Sequence, residues 1–190
     1  MEFHVKPLSP ETWDDFEALA RRHNGVWGGC WCTWFHQCDT VVRGSAEDNR
    51  KLKRSLVAQG RAHAALVYDG NKPIAWCQYG SPEELPNIYH KKEVEADGYQ
   101  PPDYRITCFF VDTEYRRKGA AKAALLGALD LIARAGGGTV EGYPQDTQGK
   151  RISASFLYNG TKTLFETCGF TFLKSKGKNH TVMRRFVDGA

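Results

Sequence analysis

Apolar and polar positions follow two different periods along the chain, and the switches between them outline its elements. Residues 105–111, Arg-Ile-Thr-Cys-Phe-Phe-Val, form a short and nearly unbroken apolar run, the pattern of a buried strand. A polar turn at residues 112–115 follows, then the basic junction Arg116-Arg117-Lys118-Gly119-Ala120-Ala121. From there Ala121, Leu125, Ala128, Ile132 and Ala135 recur at helical spacing until Gly136-Gly137-Gly138 stops them. This strand, turn and helix start bring together unpaired backbone N–H groups, the positive end of a helix dipole and positive side chains. Such a junction is an anion site. Without an anion, three cations at the positive end of a dipole would cost a few tenths of a kcal/mol each, about 0.3 or more.

The remaining elements follow in order. Residues 3–8 alternate as a first strand. Ser9-Pro10-Glu11 starts a helix with a cap, a proline and an acid, and Trp13, Phe16, Leu19 and Ala20 give it one apolar face. A glycine-rich loop then leads to a strand over residues 30–35. Ser45-Ala46-Glu47-Asp48 has capping-box spacing and opens a second helix, which Gly60 ends. Residues 62–68 and 73–79 pair as a hairpin through Asp69-Gly70-Asn71-Lys72. Residues 81–104 are polar and broken by prolines, a long loop of the kind that serves as a lid or rim over a site. After the central helix come a strand at 139–143, short helices at 153–158 and 161–167, and a hairpin of 170–174 with 181–186. That order is mixed α/β.

Composition bounds the function. At 190 residues the chain suits a single domain, residues 1–190, and 41% hydrophobic with 25% charged residues is ordinarily globular. A net charge of +4, spread along the chain, allows an anionic ligand but argues against a nucleic-acid surface. No apolar run is long enough to span a bilayer and no secretory pattern opens the sequence, so a cytoplasmic protein without membrane partners is expected. Of the six cysteines, Cys77, Cys108 and Cys168 sit inside apolar patterns, where reduced buried thiols are expected.

The junction Arg116-Arg117-Lys118-Gly119-Ala120-Ala121 fits the Arg/Gln-x-x-Gly-x-Gly/Ala signature of the GNAT acetyltransferase superfamily. Leu164-Phe165-Glu166-Thr167-Cys168-Gly169-Phe170 is similar to that family's Tyr-Glu-x-x-Gly-Phe element. Together they cover residues 62–186, while residues 1–60 resemble the family only in element order. The resemblance implies a mostly antiparallel sheet with a central splayed parallel pair, flanked by helices. Residues 62–186 would form the acetyl-CoA-binding core and residues 1–60 the acceptor side. It implies transfer of an acetyl group from acetyl-CoA, a co-substrate, to a primary amine, here of a small molecule, and leaves room for a homodimer. The pyrophosphate would lie on backbone N–H groups of Lys118, Gly119, Ala120 and Ala121 beside Arg116 and Arg117. The pantetheine would pair with Phe110 and Val111 as an added strand.

Two residues depart from the family. Thr107 stands where members often keep a glutamate base, and Phe165 where they often keep a tyrosine acid. Candidate substitutes are Glu141, on the strand expected to splay, with Tyr143 and Tyr158 as acids. Cys108 reads as a buried thiol rather than a nucleophile. A relay through water, with no dedicated base, is a further route. If catalysis is absent, the same fold would serve as an acyl-CoA-binding or partner-binding module.

Residues 24–38 hold three tryptophans, a phenylalanine, a histidine and three cysteines. Trp27, Trp31, Trp34 and Phe35 are candidates for an acceptor pocket with flat, cation-attracting walls. Cys30, Cys32, His36 and Cys38 supply four soft ligands, but Cys-x-Cys is tighter than the usual zinc spacing, and no metal is expected.

Overall fold

Seven strands form one sheet in the order β1-β2-β3-β4-β5-β7-β6 in the computed structural model, which describes residues 2–36, 44–96, 98–150 and 152–190. The strands are β1 (Phe3–Pro7), β2 (His63–Asp69), β3 (Lys72–Gly80), β4 (Tyr104–Val111), β5 (Gly138–Gly142), β6 (Thr171–Lys176) and β7 (His180–Val187). The helices are α1 (Trp13–Arg22), α2 (Ala46–Ala58), α3 (Lys91–Val94), α4 (Ala120–Arg134) and α5 (Lys162–Thr167). All pairings are antiparallel except β4 with β5. The fold is therefore mixed α/β, mostly antiparallel, with one central parallel pair.

That pair is brief. Tyr104, Arg105 and Ile106 face Val140, Glu141 and Gly142, and the two strands then part. On the other side of β4, Gln78 opposes Cys108 while Tyr79 opposes Ile106, so Thr107 is the extra residue of a bulge. A bulge bends its strand and re-aims the side chains around it. Ile106 and Phe109 thereby join one face of the sheet, and Cys108 and Phe110 the other.

Each face buries its own core. α4 covers one with Ala124, Leu125, Ala128, Leu129 and Ile132, packed on Val67, Ala75 and Val140. This stripe is wider than the expected one, and Ala135, expected on it, is an exposed cap beyond the helix end. α1 and the loop after it cover the opposite face, with Phe16 and Leu19 on Leu66, Trp76 and Phe110. The capping box of α2 forms as expected: Asp48 N–H donates to Ser45 Oγ at 3.2 Å and Ser45 N–H to Asp48 Oδ2 at 3.0 Å.

Three expected elements differ. Residues 30–35 are not a strand but a chain of turns ending in a 3-10 turn at Trp34–His36. Trp31 and Cys32 have left-handed backbones, φ 50° and 51°, and Trp31, Cys32 and Thr33 are buried in succession, which a strand's alternation forbids. The first helix begins only at Trp13, after a 3-10 turn at Pro10–Thr12. Residues 153–158 contain one 3-10 turn, Ala154–Phe156, and no α-helix.

Candidate active site

The parting of β4 and β5 creates the site. β5 ends at Gly142, where a side chain would collide with the Phe165 ring, which is fully buried and packs edge-on to Phe109 and Phe170. Phe165, at the position of the expected acid, is thus a buried ring packed beside the parting strands. The segment that re-enters the gap offers one backbone group: Tyr158 C=O accepts from Phe109 N–H at 2.6 Å. Along β4, residues face alternate edges, so Val111 shares the open edge with Phe109 while Phe110 turns its amide to β3. The Phe110 ring lies against Trp76 and His23, 4.8 Å between centroids in each case. The donors on that edge are therefore Phe109 N–H, taken by Tyr158, and Val111 N–H, while Phe110 offers none to it.

A groove of about 580 Å³ runs from this edge to the start of α4. Gly119 is the N-cap of α4 at φ 88°, in left-handed backbone that favours glycine. A Cβ added at Gly119 meets nothing within 4 Å, so the space in front of the helix end is open. No side chain caps α4 and no acid occupies its first turn, which leaves the N–H groups of Ala120, Ala121 and Lys122 unpaired within the helix. Arg116, Arg117 and Lys118 are exposed and have no ion-pair partner among the described residues. Asp112 anchors the base of the turn, accepting from Glu114 N–H at 3.2 Å and lying 3.5 Å from both Arg22 and His23. Burial works to raise the Asp112 pKa, but that hydrogen bond and the His23 and Lys72 charges hold it below the usual value.

A second cavity of about 380 Å³ adjoins the groove, and Trp27 lines both. Its walls include Trp27, Trp34, Phe35, Tyr89 and Tyr158, and its floor Cys32 and Cys108. Trp34 stacks on Tyr89 at 4.1 Å, and Trp27 meets Tyr158 edge-on at 6.3 Å. The loop is pinned to α2 by Asn49, which donates to Gly29 C=O at 2.8 Å and accepts from Thr33 Oγ1 at 3.0 Å. Trp31 lies elsewhere, buried against Trp13 and Phe16 at 6.4 and 6.2 Å. Tyr89 belongs to the loop of residues 81–104, and nothing periodic in the sequence marks it. No described residue lining either cavity is a carboxylate or a histidine.

Behind the floor runs a buried polar chain. Gln78 donates to Thr107 Oγ1 at 3.0 Å and accepts from Lys53 Nζ at 2.5 Å. Lys53 Nζ lies 3.1 Å from His36 Nε2, and His36 Nδ1 lies 2.9 Å from Glu84 C=O. Burial, with the Lys53 charge, drives the His36 pKa well down, so the ring is neutral with Nδ1 as donor. Burial brings Lys53 to a pKa of about 8. Thr107, in the place of the usual base, is thus a link in a structural chain.

Glu141 and Tyr143 line neither cavity. The fully buried Glu141 carboxylate accepts from Tyr143 OH and Arg184 Nε, both at 2.7 Å, and from Tyr99 OH at 2.9 Å. Of the two candidate tyrosines, Tyr158 reaches the aromatic cavity, and burial and the nearby Tyr89 and Cys108 raise its pKa. As for metal, no cluster of three or more His, Cys, Asp or Glu side chains able to hold an ion occurs among the described residues. His36 has both nitrogens engaged, and Cys38 lies outside the described residues.

The profile of the Acetyltransferase (GNAT) family matches residues 10–147. No curated protein sequence matches the chain. Among solved structures, an N-acetyltransferase from Staphylococcus aureus Mu50 aligns over 99% of this chain and 100% of its own at 12% identity and TM-score 0.56. A histone acetyltransferase HPA2 and related acetyltransferase from Corynebacterium glutamicum aligns over 100% and 98% at 17% identity and TM-score 0.53. The PaiA N-acetyltransferase of Thermoplasma acidophilum, solved in complex with coenzyme A, aligns over 98% and 99% at 15% identity and TM-score 0.50. At these identities the likeness is one of fold. The open cradle before Gly119, the uncapped helix end and the unpaired cations fit a bound pyrophosphate, and the free edge of β4 fits an extended amide chain.

Proposed function

The chain belongs to the GNAT acetyltransferase family, which uses acetyl-CoA, and from that premise we propose that it is an N-acetyltransferase acting on a primary amine of a small molecule. Acetyl-CoA supplies an activated thioester. The observation that carries the reading is the shared wall at Trp27: a groove with a phosphate cradle and an aromatic cavity meet beside the opened edge of β4.

Each residue then has a role set by its position. Gly119, Ala120 and Ala121 present backbone N–H groups, with Lys118, to the pyrophosphate, and Arg116 and Arg117 supply charge beside it. Val111 N–H holds the pantetheine, with Phe109 and Phe110 beneath it. Trp27, Trp34, Phe35 and Tyr89 sandwich the apolar body of the acceptor and attract its ammonium group. Tyr158 places a protonated phenol at the junction, where it can give a proton to a leaving thiolate. With no carboxylate or imidazole among the described lining residues, the amine loses its proton to water. The small size and aromatic walls of the cavity support a small acceptor.

The absence of a side-chain base among those residues also favours a second reading, an acyl-CoA-binding module with little catalysis. Thiol release from acetyl-CoA, measured across a panel of aromatic and aliphatic primary amines, separates the two. Release above background with any one amine supports the acetyltransferase. Calorimetric coenzyme A binding with no release across the panel favours the module, and no binding at all overturns both.

A further inference from the structure

The floor of the aromatic cavity holds chemistry that acetyl transfer does not use. Cys32, from the loop after α1, and Cys108, from β4, are free thiols whose Sγ atoms lie 2.7 Å apart. They are 1% and 2% exposed, yet both line the cavity, so a small molecule in it meets them. The separation is only about 0.7 Å more than an S–S bond. Two more groups single out Cys32. The charge of the buried Lys53 reaches Cys32, and the fully buried Trp76 indole N–H, which has no partner at full hydrogen-bond geometry among the described residues, acts on Cys32 as a weak donor. Both are suited to an anionic sulfur.

We propose that Cys32 and Cys108 form a redox-active dithiol, with Cys32 as the attacking and Cys108 as the resolving thiol, and with small hydroperoxides as its substrate class. The charge distribution agrees. Burial works against ionising Cys32, but the hydrogen bond from Cys108, the Lys53 charge and Trp76 outweigh it and lower its pKa. The hydrogen bond to Cys32 and burial push Cys108 well up, so Cys108 keeps the proton. Burial and the neighbouring Cys32 also push Cys30 up, which leaves Cys32 as the reactive thiol of the three lining the cavity.

The chemistry balances with one peroxide. The Cys32 thiolate attacks an oxygen of the O–O bond, which breaks. Cys32 becomes a sulfenic acid, and the departing hydroxide or alkoxide takes a proton from water. Cys108 then attacks the Cys32 sulfur, the S–OH bond breaks, and the hydroxide combines with the Cys108 proton as water. Two thiols are oxidised to one disulfide and the hydroperoxide is reduced by two electrons, to water and, for an organic peroxide, an alcohol.

The full-length protein, treated with hydrogen peroxide and compared with a reductant-treated sample, tests this without any acetyl transfer. Trypsin places Cys32 on the peptide of residues 23–43 and Cys108 on that of residues 106–116. The expected product is a covalent pair of these peptides, two hydrogens lighter than their sum, with fragmentation placing the bridge at Cys32. In Cys108→Ser, a dimedone-trapped sulfenic acid is expected at Cys32. The proposal is overturned if both thiols stay reduced under peroxide that oxidises free glutathione in the same tube. It is also overturned if wild-type Cys32 bridges to Cys30 or Cys38, or if the trapped acid of the variant lies at Cys30. The wild-type result stands alone should the variant not fold.

Discussion

Tyr158 accepts a hydrogen bond from Phe109 N–H through its backbone carbonyl, at 2.6 Å, while its ring forms a wall of the aromatic cavity. One residue thus fastens the re-entering segment to the opened strand with its main chain and leaves its phenol for the site. The two roles separate cleanly by substitution. Tyr158→Phe keeps the carbonyl and the ring and removes only the hydroxyl. Loss of a general acid lowers turnover by about 10²-fold or more. The expected result is a kcat reduced by that order with unchanged coenzyme A affinity by calorimetry; an unchanged kcat removes Tyr158 from proton transfer.

Gly119→Glu tests the cradle. Any side chain at φ 88° strains the backbone by about 1–2 kcal/mol, and a carboxylate there would enter the open space that we propose for a phosphate. Coenzyme A affinity should fall by about 100-fold or more, roughly 2.7 kcal/mol. Circular dichroism should show the fold intact, since the new side chain meets no protein atom within 4 Å at its Cβ. Retained affinity would place the pyrophosphate elsewhere.

The strand, turn and helix start that frame the groove were legible in the sequence because their determinants are local. The apolar run of β4, the cations and Gly119 are neighbours in the chain, and the helix dipole does the rest. The aromatic cavity was legible only in part. Trp27, Trp34 and Phe35 do line the cavity, whereas Trp31, identical in type, turns inward because its left-handed backbone, φ 50°, breaks the alternation a strand would impose. Glu141 was unreadable for a different reason: its partner Arg184 lies 43 residues away, and only the β5–β7 pairing brings them together. Tyr89 and the contact of Cys32 with Cys108, 76 residues apart, likewise exist only in the folded chain.

Glu141→Gln distinguishes an anchor from a base. The carboxylate is fully buried and satisfies Arg184, Tyr143 and Tyr99 together, and breaking a buried pair costs about 3–5 kcal/mol. The expected outcome is a clear fall in Tm with kcat per folded molecule nearly unchanged. A collapse of kcat at unchanged Tm would make Glu141 the base instead.

The pH profile should belong to the substrate. With no carboxylate or histidine among the described residues of either cavity, deprotonation falls to the amine's own equilibrium. For an aliphatic amine of pKa about 10, kcat/KM should rise about tenfold per pH unit between roughly 6 and 9. An amine of lower pKa should shift the break point with it. A fixed inflection near pH 6–7 for every amine would reveal an enzyme base.

Lys53 gives the chain a stability signature at alkaline pH. Its folded pKa is about 8 against 10.5 in the unfolded chain, chiefly through burial. A base whose pKa is depressed on folding is penalised while charged, so the unfolded state binds more protons between these two values and the penalty disappears as pH rises through them. Lys53→Met has no such penalty at any pH. The stability of this variant minus that of the wild type should therefore shrink from pH 8 towards 10.5, by up to about 3 kcal/mol at roughly 1.4 kcal/mol per pKa unit. The comparison cancels the tyrosines and the other common groups whose titration Lys53 does not perturb. Urea titrations of the pair at three or four pH values read the difference directly, and a difference independent of pH would mean that Lys53 keeps an ordinary pKa in the fold.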